Sequence, residues 1–217
     1  LKKEGSEIKT ILTKNAKEFV TTLSVTSLTQ NKVYDDLFNP ENEAEMDHIS
    51  LSRWCDVIVI VPATANTISK LSQGNAEDLA STVTLASDKN VILVPAMNVR
   101  MWSHKATQTN ISKLKGFGYY FIGPETGDMA CGEYGAGKMS EPEAIISYLN
   151  KLSAHNHVQG LVIRNSTVIA KETSKGTKNM LQKIIKSKNS KGILIKLPKK
   201  KQDLRACLLY TSDAADE

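Results

Sequence analysis

The chain has 217 residues and 41% hydrophobic content, enough for one packed domain with some chain to spare. Its longest aliphatic run, 57–61, is strand-sized, so no membrane span is expected, and three widely spaced cysteines without a CxxC argue against a disulfide framework or a zinc site. The net charge of +5 is uneven: residues 1–150 carry 14 Lys+Arg against 18 Asp+Glu, residues 151–217 carry 14 against 5, and that basic stretch has Tyr210 as its single aromatic, so it reads as a solvated segment and not as a nucleic-acid surface.

In chain order, Gly5 is placed to cap a short helical end before a strand at 8–12. Residues 15–28 read as a helix with Phe19, Val20 and Leu23 on one face. Asp47 is a candidate N-cap for a helix running to Trp54. The β-branched run 57–61 reads as a strand buried on both faces. Helices at 64–71 and 78–87, a strand at 91–94, a helix at 105–115, a strand at 119–122 and a helix at 141–152 complete the pattern. Strand–helix alternation predicts an α/β fold: three layers, a Rossmann- or flavodoxin-like parallel sheet with helices on both faces. Ligands in such sheets sit beyond the carboxyl ends of the strands.

Three strand ends carry unusual sequence. Pro62-Ala63-Thr64-Ala65-Asn66-Thr67 brings small residues, hydroxyls and an amide to a helix start. On residues alone it reads equally as a ligand loop or as an ordinary turn capped by Thr64. Residues 95–102, PAMNVRMW, put Met97, Met101 and Trp102 in a loop around Asn98 and Arg100, as an apolar small-molecule pocket with a few polar groups would need. Residues 130–139, ACGEYGAGKM, surround Cys131 and Glu133 with Gly132, Gly135 and Gly137. That reads as a mobile loop able to lie close to a ligand, and a thiol there suits proton donation. His48 alone is ambiguous between capping and chemistry. Cys55 reads as packing, and His104, His155 and His157 show no metal spacing.

Together, HISLSRW at 48–54, PATANT at 62–67, PAMNVRMW at 95–102 and ACGEYGAGKM at 130–139 resemble the homo-oligomeric flavin-containing cysteine decarboxylases, in order and spacing over roughly 140 residues. The chain is nearest to the branch of that family acting on 4'-phosphopantothenoylcysteine in coenzyme A biosynthesis. The resemblance implies FMN as cofactor, oxidation of the substrate's cysteinyl thiol, loss of CO2, and reduction of the resulting enethiolate to 4'-phosphopantetheine. It implies His48, Asn98 and Cys131 as catalytic residues: His48 assisting decarboxylation, Asn98 holding the substrate carboxylate and Cys131 donating the last proton. Thr13, Phe19, Pro62, Ala63, Thr64, Ala65, Asn66 and Thr67 would contact FMN. Substrate contacts would come from Asn98, Met101, Ala130, Cys131, Gly132, Glu133, Gly135, Gly137, Lys138 and Met139, with 130–139 closing as a flap.

The resemblance further implies a homotrimer or higher homo-oligomer, a cytoplasmic setting, and neither nucleic acid nor membrane as partner. Two relatives of the same fold stand as alternatives, a peptidyl-cysteine decarboxylase and a non-catalytic regulatory subunit. The family's first strand and Gly-rich phosphate loop are missing from the sequence. Residues 1–152 therefore read as the flavoprotein domain, truncated at its start. Residues 153–206 read as a basic linker or corrupted ligase start; 160–206 show no recognisable ligase opening and read as divergent, frame-shifted or chimeric. Residues 207–217, CLLYTSDAADE, resemble one frame of a transposase sequencing adapter translated as protein. They are expected to stand outside the fold, with no role for Cys207.

Overall fold

A computed structural model describes residues 1–37, 47–154, 160–164, 167–171, 193–196 and 205–211. They form two compact units, 1–145 with 203–217, and 146–202.

The first unit opens with a 3-10 turn, Lys2–Glu4, ended by Gly5 at φ 85, the left-handed cap read from the sequence. Strand β1 (Glu7–Leu12) follows. The expected single helix over 15–28 is two pieces, a 3-10 turn Asn15–Glu18 and helix α1 (Thr22–Thr29). Thr21 starts α1 by accepting the Ser24 N–H at 3.1 Å, which ends the earlier turn. The break also undoes the expected apolar face: Leu23 is 76% exposed and Phe19 39%, while Val20 and Val25 pack on Leu12, Ala16 and Val33. Strand β2 (Val33–Tyr34) and helix α2 (Asp47–Trp54) come next.

Strand β3 (Val57–Ala63) leads into helix α3 (Ala65–Gln73), capped by Thr64 and closed by Gly74 in the left-handed region. Helix α4 (Leu79–Leu85) starts in a capping box between Asp78 and Ser81. Strand β4 (Asn90–Pro95) is followed by helix α5 (Val99–Ser103), where a loop was expected, then helix α6 (Lys105–Gly116) and strand β5 (Tyr120–Phe121). Strands β6 (Glu125–Asp128) and β7 (Tyr134–Lys138) pair as an antiparallel hairpin, and helix α7 (Pro142–Ala154) ends this stretch.

In the second unit, strands β8 (Gly160–Arg164), β9 (Thr167–Lys171) and β10 (Ile193–Lys196) form an antiparallel sheet in the order β10-β8-β9. The Lys-rich stretch between β9 and β10 lies outside the described residues.

Strand β11 (Arg205–Tyr210) belongs to the first unit and overturns the expectation for the tail. The main sheet runs β2-β1-β11-β3-β4-β5, all parallel. β11 fills the slot between β1 and β3, pairing Glu7–Leu12 on one side and Val57–Ile60 on the other. Ala206, Cys207 and Leu209 are fully buried. The physical reason is the continuous apolar run Ala-Cys-Leu-Leu-Tyr: a short uncharged run satisfies a central parallel slot, where both neighbours offer unpaired backbone groups.

By register, Ile11, Leu209, Ile60 and Leu93 share one face with Cys207, Ile58 and Val91. They pack on Leu51 of α2, Ile68 and Leu71 of α3, Val83 of α4, and Ile111 and Leu114 of α6. The opposite face carries Leu12, Val33 and Tyr210. Among the described residues no helix is long and apolar enough to cross a membrane, and no group of His, Cys, Asp and Glu could hold a metal ion.

Candidate active site

Two constructions occupy the carboxyl ends of the strands. The first is a cavity of about 310 Å³. Thr13, Lys14 and Asn15 line it after β1, Asn66, Thr67 and Lys70 from α3, Asp78, Ser81 and Thr84 around α4, Leu209 from β11 and Thr211 just after it. Its apolar part is Ile60, Leu71 and Leu209.

The polar walls are held by local bonds that the sequence dictates. Thr64 Oγ1 accepts the Thr67 N–H at 3.2 Å, fixing the start of α3. Asp78 Oδ1 accepts the Ser81 N–H at 2.8 Å, and the Ser81 hydroxyl accepts the Asp78 N–H at 3.3 Å. Lys70 bridges Asp78 at 3.4 Å and Glu77 at 3.6 Å across the mouth. Thr211 donates its hydroxyl to the Pro62 carbonyl at 2.6 Å, tying the end of β11 to that of β3. Lys14 is exposed and makes no ion pair among the described residues.

The second construction joins α5 to the β6–β7 hairpin. Asn98 caps α5, its Oδ1 accepting the Met101 N–H at 2.8 Å, which leaves Nδ2 without a protein acceptor among the described residues. Met97, just before it, is buried and donates its backbone N–H to the Gly137 carbonyl at 3.1 Å. The glycines of the expected loop are needed for this docking. A Cβ on Gly137, which sits at φ +147, would collide with the Met97 carbonyl oxygen, and one on Gly135 would lie 2.8 Å from the Val99 side chain. So 130–139 is not the freely mobile loop read from its glycines; from Tyr134 to Lys138 it is a strand laid against residues 97–99.

The hairpin tip is different. Met129 N–H bonds to the Glu133 carbonyl at 3.0 Å and Gly132 N–H to the Met129 carbonyl at 2.9 Å, closing a turn with Cys131 exposed on it. Glu133 reaches Arg100 of α5 at 3.4 Å, and Lys138 pairs with Glu141 at 3.2 Å.

The structure therefore brings together two of the sequence-derived sets. Thr13, Asn66 and Thr67 line the cavity, whereas Phe19, Pro62, Ala63, Thr64 and Ala65 do not. Asn98 and Met101 share a helix docked against the strand that holds Gly135, Gly137 and Lys138; Ala130, Cys131, Gly132 and Glu133 form its turn, with Met139 following. His48 belongs to neither group; it stands half-buried in the first turn of α2. Cys55 is core, as expected, and burial pushes its thiol up to about 11. Sequence reasoning missed Lys14, Lys70, Asp78, Ser81 and Thr211 at the cavity. The Asp-x-x-Ser capping pattern was a signal for Asp78 and Ser81; nothing local pointed to Thr211, which arrives from the far end of the chain.

Residues 1–154 match the family model described as Flavoprotein. Residues 125–208 match that of the LpxI C-terminal domain, which takes in the stretch where no ligase opening was legible. The chain is 42% identical over 162 residues to the coenzyme A biosynthesis bifunctional protein CoaBC of Haemophilus influenzae, covering 74% of this chain and 40% of that protein. To CoaBC of Bacillus subtilis it is 42% identical over 147 residues, 68% of this chain and 36% of that one. The chain thus spans at most 40% of the length of these two relatives.

Among solved structures, a cysteine-to-serine mutant of PPC decarboxylase complexed with pantothenoylaminoethenethiol superposes with a TM-score of 0.61 at 31% identity, over 69% of this chain and 85% of that one. The FMN-binding protein AtHal3 gives 0.58 at 31% identity, over 69% and 83%. A parallel sheet with its cavity at the strand ends, a family match over residues 1–154, which supply the hairpin and helix and every cavity wall except Leu209 and Thr211, and these two neighbours lead to one conclusion: the chain belongs to the flavoprotein family.

Proposed function

We propose that the chain carries the FMN-dependent decarboxylase activity that converts 4'-phosphopantothenoylcysteine to 4'-phosphopantetheine. The observation that carries this reading is the docking of a Cys131-bearing hairpin onto the helix capped by Asn98. The similarity to a PPC decarboxylase whose cysteine-to-serine mutant holds an enethiol supports it, as does the CoaBC likeness.

The cavity fits the phosphorylated, polyhydroxylated end of FMN. Thr13, Asn66, Thr67, Ser81 and Thr211 offer hydroxyl and amide groups, Lys14 offers positive charge while Lys70 is paired with Asp78 and Glu77, and Ile60, Leu71 and Leu209 form an apolar wall. FMN, when bound, supplies the two-electron redox chemistry. The chain's own groups bind, orient and protonate. Asn98 presents Nδ2 to the substrate carboxylate, with its Oδ1 fixed by the helix cap. Cys131, exposed at the hairpin tip, delivers the proton that completes the product. His48 assists loss of CO2; its place on α2, apart from both constructions, suits a homotrimer in which it serves a neighbouring copy's site. Three free cysteines fit the reducing cytoplasm.

The test is direct. Titration with FMN should quench flavin fluorescence, and the loaded protein should release CO2 from 4'-phosphopantothenoylcysteine. Cys131→Ser should still release CO2 but leave a product about 2 Da lighter, one hydride and one proton short. His48→Asn should stop before CO2 is lost. A protein that takes up no FMN, or a Cys131→Ser variant that makes normal 4'-phosphopantetheine at the parent rate, overturns the reading.

A further inference from the structure

The hairpin is attached to the rest of the molecule unevenly. Its second strand is fixed along its length: the Met97 N–H bonds to Gly137, and Gly135 and Gly137 sit where no side chain would fit against Val99 and Met97. The turn 129–133 is held differently: its first residue, Met129, folds its side chain back on Gly137, where a Cβ would lie 2.7 Å from the methionine methyl carbon, while Ala130, Cys131 and Gly132 are exposed. Its two backbone bonds, Met129 to Glu133 and Gly132 to Met129, are internal to the turn. The polar tie that the structure shows from this turn to another element is the Glu133 carboxylate on Arg100 Nε, at 3.4 Å. Arg100 lies on α5, two residues after the Asn98 cap. One ion pair therefore links the helix that presents Asn98 to the turn that presents Cys131.

We propose that Arg100, acting through Glu133, is a positioning residue that sets the place of the Cys131 thiol relative to α5. This rests on the decarboxylase reading for its consequence, though not for its geometry. Arg100 touches no reacting group in this proposal; its guanidinium fixes the carboxylate two residues beyond the thiol. Arg100 is 89% exposed and Glu133 40%, so the tie is weak and reversible. A pair of this kind shifts a two-state equilibrium by about two- to fivefold. That suits a turn that must let a substrate in and then hold a proton donor over it.

The chain itself supplies the probe. Cys55 and Cys207 are fully buried, whereas Cys131 is exposed, so a thiol-reactive nitroxide added to the folded full-length protein labels Cys131. Its spectrum at room temperature should show an immobilised component. Arg100→Ala and Glu133→Gln should each lower that component about two- to fivefold, and 1 M NaCl should do the same to the parent protein, since screening at that strength acts within roughly 3 Å. The double charge swap Arg100→Glu with Glu133→Arg should restore it, which a merely structural role would not do. In the unlabelled, FMN-loaded enzyme, Arg100→Ala should raise the share of the product about 2 Da light while leaving CO2 release unchanged.

Unchanged nitroxide mobility in Arg100→Ala, or a charge swap that fails to restore it, overturns the proposal. Absence of any CO2 release would overturn the decarboxylase reading instead, with the nitroxide result still deciding the tether.

Discussion

The two ends of the parallel sheet use their polar groups in opposite ways. At the N-terminal ends, Asp56 accepts three bonds from Arg205: the backbone N–H at 3.2 Å, Nε at 3.3 Å and a terminal nitrogen at 3.1 Å. Arg205 also lies 5.9 Å from the Trp54 ring centroid, and Lys9 lies 4.7 Å from it. At the C-terminal ends, Thr64, Asp78 and Asn98 cap α3, α4 and α5 only far enough to fix the backbone. Asn66, Lys14 and Asn98 Nδ2 are left facing outward from that scaffold. One end is closed by its own chain, and the other is kept available for a ligand. The contrast follows from parallel topology, which gathers every loop entering a helix N-terminus on one side. Substitutions at the first end should therefore change stability, and substitutions at the second should change binding.

The largest effect should come from β11, which connects both ends. Leu209 is fully buried between β1 and β3 and also lines the cavity. Leu209→Ala should cost about 2–5 kcal/mol. Leu209→Asp buries a carboxylate in the middle of an apolar sheet and should abolish cooperative melting. Circular dichroism melts decide the matter. If Leu209→Asp melts with the parent, β11 is not in the sheet and the reading of residues 207–217 as standing outside the fold returns.

That strand also shows why parts of the molecule were hidden in the sequence. β3 and β4 were legible because a β-branched run buried on both faces has few other uses, and α3 and α4 because Thr64 and Asp78 are caps at the right spacing. The cavity was half legible: Thr13, Asn66 and Thr67 follow strands directly, but Lys70 comes from the second turn of α3 and Thr211 from just after a strand that no local pattern assigned to the sheet. The hairpin was misread because glycine marks two different needs. At 135 and 137 it permits close packing, not motion, and only the contact with Met97 and Val99 tells the two apart. Residues 15–28 failed for a simpler reason: Thr21 and Thr22 lie inside an apolar pattern, and a threonine that caps is indistinguishable in sequence from one that merely faces solvent.

A smaller effect should appear at alkaline pH. Burial raises the Cys55 thiol from 9.0 to about 11 and raises Cys207 as well, which adjoins it in the core. In the unfolded chain both thiols ionise near their ordinary value. Between about 9 and 11 the unfolded state therefore binds fewer protons than the folded one. Stability is complete below 9 and falls as pH rises toward 11, by at most about 1.4 kcal/mol per pH unit per thiol. Urea midpoints at about pH 8 and pH 10.5 should separate clearly in the parent, and the separation should shrink in Cys55→Ala; an unchanged separation would move the alkaline sensitivity elsewhere.

Smaller again is the closed end itself. Arg205→Ala removes the bidentate pair to Asp56 and the contact with Trp54. The Arg205 side chain is 43% exposed, so solvent screening discounts the pair, and the loss should be about 1–2 kcal/mol at neutral pH. The same substitution should leave FMN affinity within about twofold, because Arg205 is at the opposite end from the cavity. A large loss of FMN binding with little loss of stability would reverse the contrast between the two ends.

The smallest stability effect, and the sharpest test of the open end, belongs to Lys14. It is exposed, lines the cavity, and has no carboxylate beside it among the described residues. Lys70, by comparison, is already neutralised by Asp78 and Glu77. A cavity-facing cation without a partner is a site for an anion, and the anion FMN brings and riboflavin lacks is the phosphate. Lys14→Ala should therefore shift the melt by less than about 0.5 kcal/mol, as surface substitutions do. It should weaken FMN binding by about five- to tenfold at low salt while riboflavin binding stays the same. Raising the salt to 1 M should erase the difference between parent and variant for FMN, because an exposed charge pair is screened within roughly 3 Å at that strength. Equal losses for FMN and riboflavin would mean that Lys14 acts by shape and not by charge. No loss for either would place the phosphate away from this wall of the cavity.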